Sequence, residues 1–228
     1  MCLRRVHFIH RLYQLLTKPT HVSIIKSTRV SETEDLSMAA KGEKTREFIL
    51  DSSYALFAQK GFKSVTMKDI CEATGMSRGG LYSHFASTKE IFEAMITRMT
   101  GNDADNLYSD MEKGISAVTI LKKTLKRMGS EMAHPEDSLS LAVYEYSETV
   151  DPESMLKINR EGEKKWASFI RYGIDRGEFN EVNVDEIVNI LMYSYQGVRM
   201  WSRIIPLKTR TIRSITDHIE HQLTGDRK

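Results

Sequence analysis

The stretch Ser64–Phe92 reads SVTMKDICEATGMSRGGLYSHFASTKEIF and carries the start and stop signals of three short helices. Thr66 is placed to cap the first helix, and Asp69, three residues later, completes a variant capping box. Gly75 can end that helix because glycine enters the left-handed conformation without a steric cost. Ser77 is then placed to cap the next helix. This spacing, with a three-residue turn between two helices, predicts a helix-turn-helix.

The second helix of this unit is predicted over residues 78–85, with Leu81 and Phe85 on its inner face at i and i+4. Gly79 and Gly80 each cost about 1 kcal/mol relative to alanine in a helix, so local stability does not explain them. A helix start without side chains can approach the major groove of a duplex closely. Residues 87–90, Ser-Thr-Lys-Glu, form a second capping box that opens a third helix.

The preceding residues predict one more helix, from Glu43 to Lys60, that completes a small core. Its inner face is expected to bury Ile49, Leu50, Ser53, Leu56 and Phe57. In the first helix of the turn motif, Ile70 and Ala73 are expected to face the same core.

The pattern resembles the DNA-binding motif of tetracycline-repressor-type (TetR/AcrR) transcriptional regulators. The resemblance continues on both flanks of the motif, which argues against a generic helical segment with convenient caps. It departs at Ser53 and Cys71, where alanine is usual. The residues that carry it are Arg46, Glu47, Phe48, Ile49, Leu50, Leu56, Phe57, Gly61, Phe62, Thr66, Asp69, Ile70, Ala73, Gly75, Met76, Ser77, Arg78, Gly79, Leu81, Tyr82, His84, Phe85, Ser87, Lys89, Glu90 and Phe92.

The resemblance implies an all-α protein with an N-terminal three-helix helix-turn-helix domain and a C-terminal helical domain for ligand binding and dimerisation. We expect the boundaries at residues 41–92 and 93–228, after an N-terminal extension over residues 1–40. That extension turns to Ser, Thr and Glu after Pro19, which indicates loose or disordered structure. We hypothesise that translation starts at Met38 and that the first 37 residues are an annotation artefact or an unstructured arm. The alternative is that these residues form a genuine arm that binds the minor groove of DNA.

Composition agrees with a helical protein of the cytosol. The sequence has only four prolines and repeated apolar stripes with a period of 3.6 residues, which indicate helices. It contains no run of eighteen apolar residues, so no membrane span is predicted. Cys2 and Cys71 form no disulfide framework, which suits a reducing compartment; Cys71 is predicted to be a small buried residue, with a redox-sensing thiol as the alternative. Residues 1–95 carry a net charge of +4 and residues 96–228 a net −2, the sign expected for an N-terminal nucleic-acid face.

Double-stranded DNA with a palindromic operator is the partner that the resemblance implies, read by two recognition helices of a homodimer. Arg78 is the first choice for a base or phosphate contact, and Tyr82 and His84 for backbone or thymine-methyl contacts; His84 without any base contact is the open alternative. The full set of predicted DNA-binding residues is Thr66, Lys68, Ser77, Arg78, Gly79, Gly80, Tyr82, His84 and Lys89.

The C-terminal half is expected to hold a pocket for an unknown small-molecule effector. We expect this effector to be lipophilic and either aromatic or cationic. Each predicted lining residue has an ordinary core position as its alternative. These residues are Met111, Leu125, Tyr144, Glu145, Tyr146, Glu148, Trp166, Phe169, Met192, Tyr193 and Tyr195. The helix joining the two halves, from Thr88 to about Met111, is expected to bend or break at Gly101 and Asn102.

The last two helices are expected to form the dimer interface. Residues 187–201 are apolar almost all round, which predicts burial on several sides. The final helix has a narrow apolar stripe of the kind that pairs helix on helix. The predicted interface residues are Trp201, Ile212, Ile215, Ile219 and Leu223.

An enzyme is not expected, because the sequence has no phosphate-binding glycine loop, HExxH pair or CxxC cluster. No cofactor and no metal are predicted; His218 and His221 are three residues apart but have no evident third ligand. The alternative from another class is a ligand-independent DNA-binding or dimer-scaffold protein whose helical half has a filled core.

Overall fold

The computed structural model describes residues 28–225 and gives side chains for residues 40–102 and 106–225. Every regular element in this part of the chain is helical, which confirms the predicted all-α fold. The helices are α1 (Thr28–Lys60), α2 (Met67–Thr74), α3 (Arg78–Tyr82), α4 (Thr88–Glu112), α5 (Ala117–Ala133), α6 (Ser140–Ser147), α7 (Pro152–Asp175), α8 (Val184–Trp201) and α9 (Thr209–Thr224), with a 3₁₀ turn at Pro135–Asp137.

The chain divides into two compact units, Met1–Lys44 and Thr45–Lys228. Of the first unit the structure describes only the helical residues 28–44. Residues 1–27, which include Cys2 and Pro19, lie outside the described residues. The second unit contains the helix-turn-helix and the helical body, and all side-chain contacts given below belong to it.

Helix α1 begins at Thr28, well before the expected start at Glu43. Loose or disordered structure was expected over residues 1–40, whereas the structure places residues 28–40 in α1. The physical reason is that no proline or glycine occurs between Thr28 and Gly42. Extending an existing helix into a polar segment requires no new nucleus, so low hydrophobicity does not end it.

The helix-turn-helix core includes residues from α6 as well as from α1 to α4. Ile49, Phe57, Ile70, Leu81 and Phe92 are fully buried, as the sequence predicted. Leu139, Ala142 and the partly buried Tyr146 pack into the same cluster from the opposite half of the sequence. Ala73, expected inside, is exposed, because the short helix α2 turns only Ile70 fully inward.

Helix α4 continues through Gly101 and Asn102 as one helix of 25 residues, so the expected break is absent. A single exposed glycine costs a helix only about 1 kcal/mol, which a long helix anchored at its buried end can tolerate. The anchor is the cluster around Ile91, Phe92 and Met95, all fully buried.

A second core joins α5, α7, α8 and α9. Its fully or largely buried residues include Leu121, Leu125, Met132, Phe169, Ile170, Leu191, Ile212, Ile219 and Leu223. Among the described helices, none combines the length and apolar character needed to cross a membrane.

The apolar stripe of α9 packs inside its own chain, mainly against α5. Ile212, Ile219 and Leu223 are 5%, 2% and 0% exposed, and Ile215 packs against the same core. Side chains buried within one protomer have little surface left for a partner, so Ile212, Ile219 and Leu223 serve core packing, and the dimer interface predicted for the last two helices stays a prediction. Trp201, the fifth predicted residue, is exposed.

Candidate nucleic-acid interface

The frame of the turn forms as the sequence predicted. The Thr66 hydroxyl accepts a hydrogen bond from the Asp69 N–H at 3.2 Å, and the Asp69 carboxylate accepts from the Thr66 N–H at 2.8 Å. Gly75 follows α2 with φ +69°, in the left-handed region. Ser77 caps α3 by accepting from the Gly80 N–H at 3.2 Å. These caps fix both ends of the turn without any long-range contact.

Asp69 also ties the turn to the end of α1. Its carboxylate accepts a hydrogen bond from the Lys60 ammonium at 2.6 Å. This bond, together with those from Thr66, holds the pKa of the Asp69 carboxyl well below its usual range. The carboxylate therefore stays ionised in the frame at neutral pH.

The outer face of the motif is open to solvent. The Arg78 guanidinium has no hydrogen bond or ion pair to any described residue, and its neighbour Gly79 has no atom within 4 Å of a would-be β-carbon. Tyr82, one turn further, is 50% exposed. The predicted DNA-binding residues that are exposed are Thr66, Lys68, Ser77, Arg78, Gly79, Tyr82 and Lys89.

Two predicted DNA-binding residues lie differently. Gly80 is half-buried, and a β-carbon there would lie 3.3 Å from the Ser77 hydroxyl, so Gly80 serves the cap more directly than the outer face. His84 is also half-buried, and its backbone carbonyl accepts a hydrogen bond from Arg46 of α1. Arg46 had no assigned role in the sequence analysis.

The start of α4 is capped by two side chains. Ser87 accepts from the Glu90 N–H at 3.2 Å, while the Glu90 carboxylate accepts from the Ala86 N–H at 2.7 Å, one residue earlier than a capping box requires. Lys89 is exposed in the first turn and lies 3.8 Å from Glu93. An exposed pair of this kind is weak, so Lys89 can exchange its partner for a phosphate.

Helix α6 docks on the helix-turn-helix, so three residues predicted for the effector pocket lie at this junction. The Tyr146 ring stands 5.3 Å from Phe62 and 5.2 Å from Phe92, centroid to centroid, and its hydroxyl donates to Glu93 at 2.7 Å. Burial and this hydrogen bond raise the pKa of Tyr146 to about 12. Glu145 accepts the Lys63 N–H at 2.8 Å, and Glu148 pairs with the Lys63 ammonium.

The remaining predicted effector residues are divided between core and surface. Leu125 and Phe169 are buried in the body core, and Met111, Trp166, Met192 and Tyr195 pack against it. Tyr144 and Tyr193 are 56% and 62% exposed. Two solvent-open grooves of ≈ 320 Å³ and ≈ 420 Å³ lie along α7, both lined mainly by charged and polar side chains. None of the predicted effector residues lines either groove.

Exposed apolar residues form a stripe along the outer side of α8, which the sequence analysis expected to be buried. We call it the α8 stripe: Ile190, Tyr193, Gly197, Trp201 and, just beyond the helix, Ile204. The spacing of three and four places Ile190, Tyr193, Gly197 and Trp201 on one face of α8. Gly197 has open space where a side chain would stand. The same spacing is readable in the sequence and could have indicated this face.

His218 and His221 are both exposed on α9. Within the part of the chain whose side chains are described, no cluster of three His, Cys, Asp or Glu residues could hold a metal ion.

A capped helix-turn-helix with an open, cationic recognition helix defines a DNA-binding transcriptional regulator. The family model described as "Bacterial regulatory proteins, tetR family" matches residues 49–95. The HTH-type transcriptional regulator YfiR of Bacillus subtilis (strain 168) is 30% identical over 146 residues, which cover 61% of this chain and 70% of that protein. The chain therefore belongs to the tetR family of bacterial regulatory proteins.

Two further comparisons agree. The HTH-type transcriptional repressor KstR2 of Rhodococcus jostii (strain RHA1) is 24% identical over 159 residues, covering 66% of this chain and 75% of that protein. The crystal structure of a TetR-family transcriptional regulator from Agrobacterium tumefaciens has the same fold, with a TM-score of 0.65 at 16% identity over 80% of this chain and 99% of that one. These relatives are named as regulators or repressors of transcription, not as enzymes.

Proposed function

We propose that the protein is a cytoplasmic, homodimeric transcriptional repressor that binds a palindromic operator and releases it when a small lipophilic or aromatic effector binds. The observation that carries the DNA-binding part is Arg78, an exposed guanidinium without a partner among the described residues, beside the open Gly79 at the start of a capped helix. A guanidinium in that setting is free to make bidentate bonds to guanine or phosphate. The name of the KstR2 relative supports repression.

The α8 stripe supports the homodimer. Tyr193, Trp201 and Ile204 are each more than half exposed, and large apolar side chains that share one side of a molecule in water mark a site of interaction. Gly197, at the centre of the stripe, permits two helices to approach closely, and a two-fold axis would place the same stripe on both sides of the contact. The operator is then a palindrome because the two recognition helices share that axis.

The effector part rests on adaptable packing in the body. Met111, Met192 and Trp166 pack around the core without being fully buried. Met192 lies over Gly162, where its methyl group would be 3.2 Å from an added β-carbon. Unbranched methionine side chains repack easily, so an apolar molecule could enter between α7 and α8 with little loss of packing.

Binding to DNA is tested first with a duplex selected from a random library by the full-length protein. We expect Arg78→Ala to weaken binding by about 1–3 kcal/mol and to lower the dependence of affinity on salt. Arg210→Ala, at another exposed arginine on α9, is the matched control and should leave both quantities unchanged. Selection of no duplex, or equal losses in both variants, contradicts a role of α3 in reading DNA.

The alternative, a DNA-binding or scaffold protein without an effector, is favoured by one observation: the predicted pocket residues are core, junction or surface residues, and neither groove along α7 is apolar. A thermal-shift screen with lipophilic cations, aromatic compounds and acyl compounds separates the two. A compound that raises the melting temperature and releases the selected duplex supports the sensor. Duplex binding that no compound alters supports the alternative.

A further inference from the structure

Arg46 reaches from α1 to the exit of the recognition helix. Its guanidinium donates a hydrogen bond to the backbone carbonyl of His84, 38 residues later in the chain. The guanidinium carbon stands 3.9 Å from the centre of the Phe85 ring. Phe85 is only 1% exposed, so the ring is a fixed platform. Arg46 is thereby held between one buried ring and one backbone carbonyl.

Helix α3 depends on such external supports because it has little stability of its own. It has five residues, two of them glycine, and it buries a single side chain, Leu81. Isolated helices need about 12 to 15 residues to be even marginally stable, and each glycine weakens them further. The orientation of α3 is therefore decided by the groups that hold its two ends.

Those groups can be traced from one end to the other. Ser77 holds the first turn through the Gly80 N–H. After the helix, the Ala86 N–H is held by Glu90 of α4. Between these points the His84 carbonyl is held by Arg46 alone among the described side chains. Arg46 thus completes the attachment of the segment that carries Tyr82 and His84.

We propose that Arg46 is a positioning residue that sets the orientation in which α3 meets the operator, without contacting DNA itself. This inference rests on the proposed DNA-binding function. Arginine suits the role because its planar guanidinium can stack on an aromatic face while donating from its edge, which a lysine ammonium cannot do in the same geometry. Loss of the guanidinium at position 46 should impair discrimination between operator and other DNA sequences. The exposed cations should continue to attract any duplex.

The test compares Arg46→Lys and Arg46→Gln with the wild type in the full chain. Affinities are measured for the selected duplex and for a scrambled duplex at several salt concentrations, and folding is followed by thermal melting. We expect Arg46→Lys to bind the selected duplex about tenfold more weakly, as the loss of a hydrogen bond to a charged group predicts. Its affinity for the scrambled duplex and its salt dependence should stay at the wild-type values.

Arg98→Lys is the matched control. Arg98 also joins two helices of this core, bonding Glu47 and Asp51 of α1, but it makes no contact with α3. We expect it to change the melting temperature without changing the ratio of the two affinities. A purely structural role for Arg46 predicts the same result for both lysine variants, which would overturn the inference.

Three other outcomes are decisive. A fall in the slope of log affinity against log salt by about 0.9 for Arg46→Gln, which removes the positive charge that Arg46→Lys keeps, would make Arg46 a phosphate contact and overturn its positioning role. A wild-type protein that selects no duplex overturns the proposed function itself, and the inference with it. A wild type that selects a duplex and an Arg46→Lys variant that discriminates equally well overturns the inference alone.

Discussion

Glu145 of α6 lies directly over Gly61, at the end of α1: a β-carbon on Gly61 would come within 2.5 Å of the Glu145 Oε2 atom. Gly61 has φ +78°, in the left-handed region, and the same carboxylate accepts the Lys63 N–H. The glycine that ends the first helix thus also leaves room for the residue that attaches α6 to the helix-turn-helix.

Gly61→Ala should destabilise the protein for two reasons. A left-handed alanine costs about 1–2 kcal/mol, and the Glu145 side chain must also swing aside and lose the Lys63 N–H, at about 1 kcal/mol. Gly114→Ala is the control, since Gly114 has φ +72° but open space around it. Urea unfolding should show a larger loss of unfolding free energy at position 61. Equal losses would mean that the Glu145 contact contributes nothing.

Gly79→Ala should separate stability from DNA binding. Open space surrounds Gly79, so alanine raises the helix propensity of α3 without a clash and stabilises the protein by up to about 1 kcal/mol. If α3 lies deep in the groove, the added methyl group should nevertheless weaken operator binding. Gly101→Ala on α4, also in open space, should give a similar gain in stability with unchanged affinity. Thermal melting and fluorescence anisotropy measure the two effects.

Tyr193→Glu should disrupt the proposed homodimer, because it introduces a charge into the α8 stripe. Sedimentation equilibrium is expected to show a monomer, and operator binding should weaken because each protomer then reads only one half-site. Tyr108→Glu is the matched control, an exposed tyrosine of α4 outside the stripe. A Tyr193→Glu protein that sediments as the wild type does would rule out this face as the interface.

Glu178 should make stability depend on acid pH. Hydrogen bonds from Ser116 and then from Arg176 lower the pKa of its carboxyl to about 2, from an ordinary 4.5. A depressed pKa in the folded state means a stabilising contribution that is present above pH 4.5 and is lost as the pH falls from 4.5 towards 2. Glu178→Gln should therefore be less stable than the wild type at pH 7.

Chemical unfolding at pH 7, 5, 4 and 3 checks this prediction. The difference in unfolding free energy between wild type and Glu178→Gln should be constant at pH 7 and 5 and should shrink at pH 4 and 3. Glu181→Gln, an exposed carboxylate three residues further, should show little difference at any of these pH values. A gap that does not vary with pH would mean that the stabilisation does not depend on the charge.

Local signals in the sequence were reliable guides to the helix-turn-helix. The caps at Thr66 and Ser77 and the left-handed Gly75 depend on residues within three positions, so they can be read directly. The cap of α5 was not readable in this way: Ser116 has the right residue type, but the Val118 N–H is held by Glu178, 60 residues away. The contacts of Glu145 and Glu148 with Lys63 join residues that are also far apart in sequence, so local patterns give no sign of this junction.

The stripe of α9 shows a different limit. Periodicity correctly indicated that Ile212, Ile219 and Leu223 share a buried face. A period reveals that a face is covered but not whether the cover comes from the same chain or from a second copy. On α8 the apolar composition indicated burial on several sides, and within one protomer the structure leaves Tyr193 and Trp201 in solvent.

Arg203, just after α8, donates hydrogen bonds to the carbonyl oxygens of Ala58 and Pro135 at 2.9 and 3.0 Å. Arg203 and Tyr146 thus join the helix-turn-helix to segments that lie in the C-terminal half of the sequence. A chimeric protein that joins residues 41–92 to the C-terminal domain of another regulator would leave Phe62 and Phe92 without their contact to Tyr146. A chimera that is to keep this helix-turn-helix intact should therefore include residues 135–148 and Arg203.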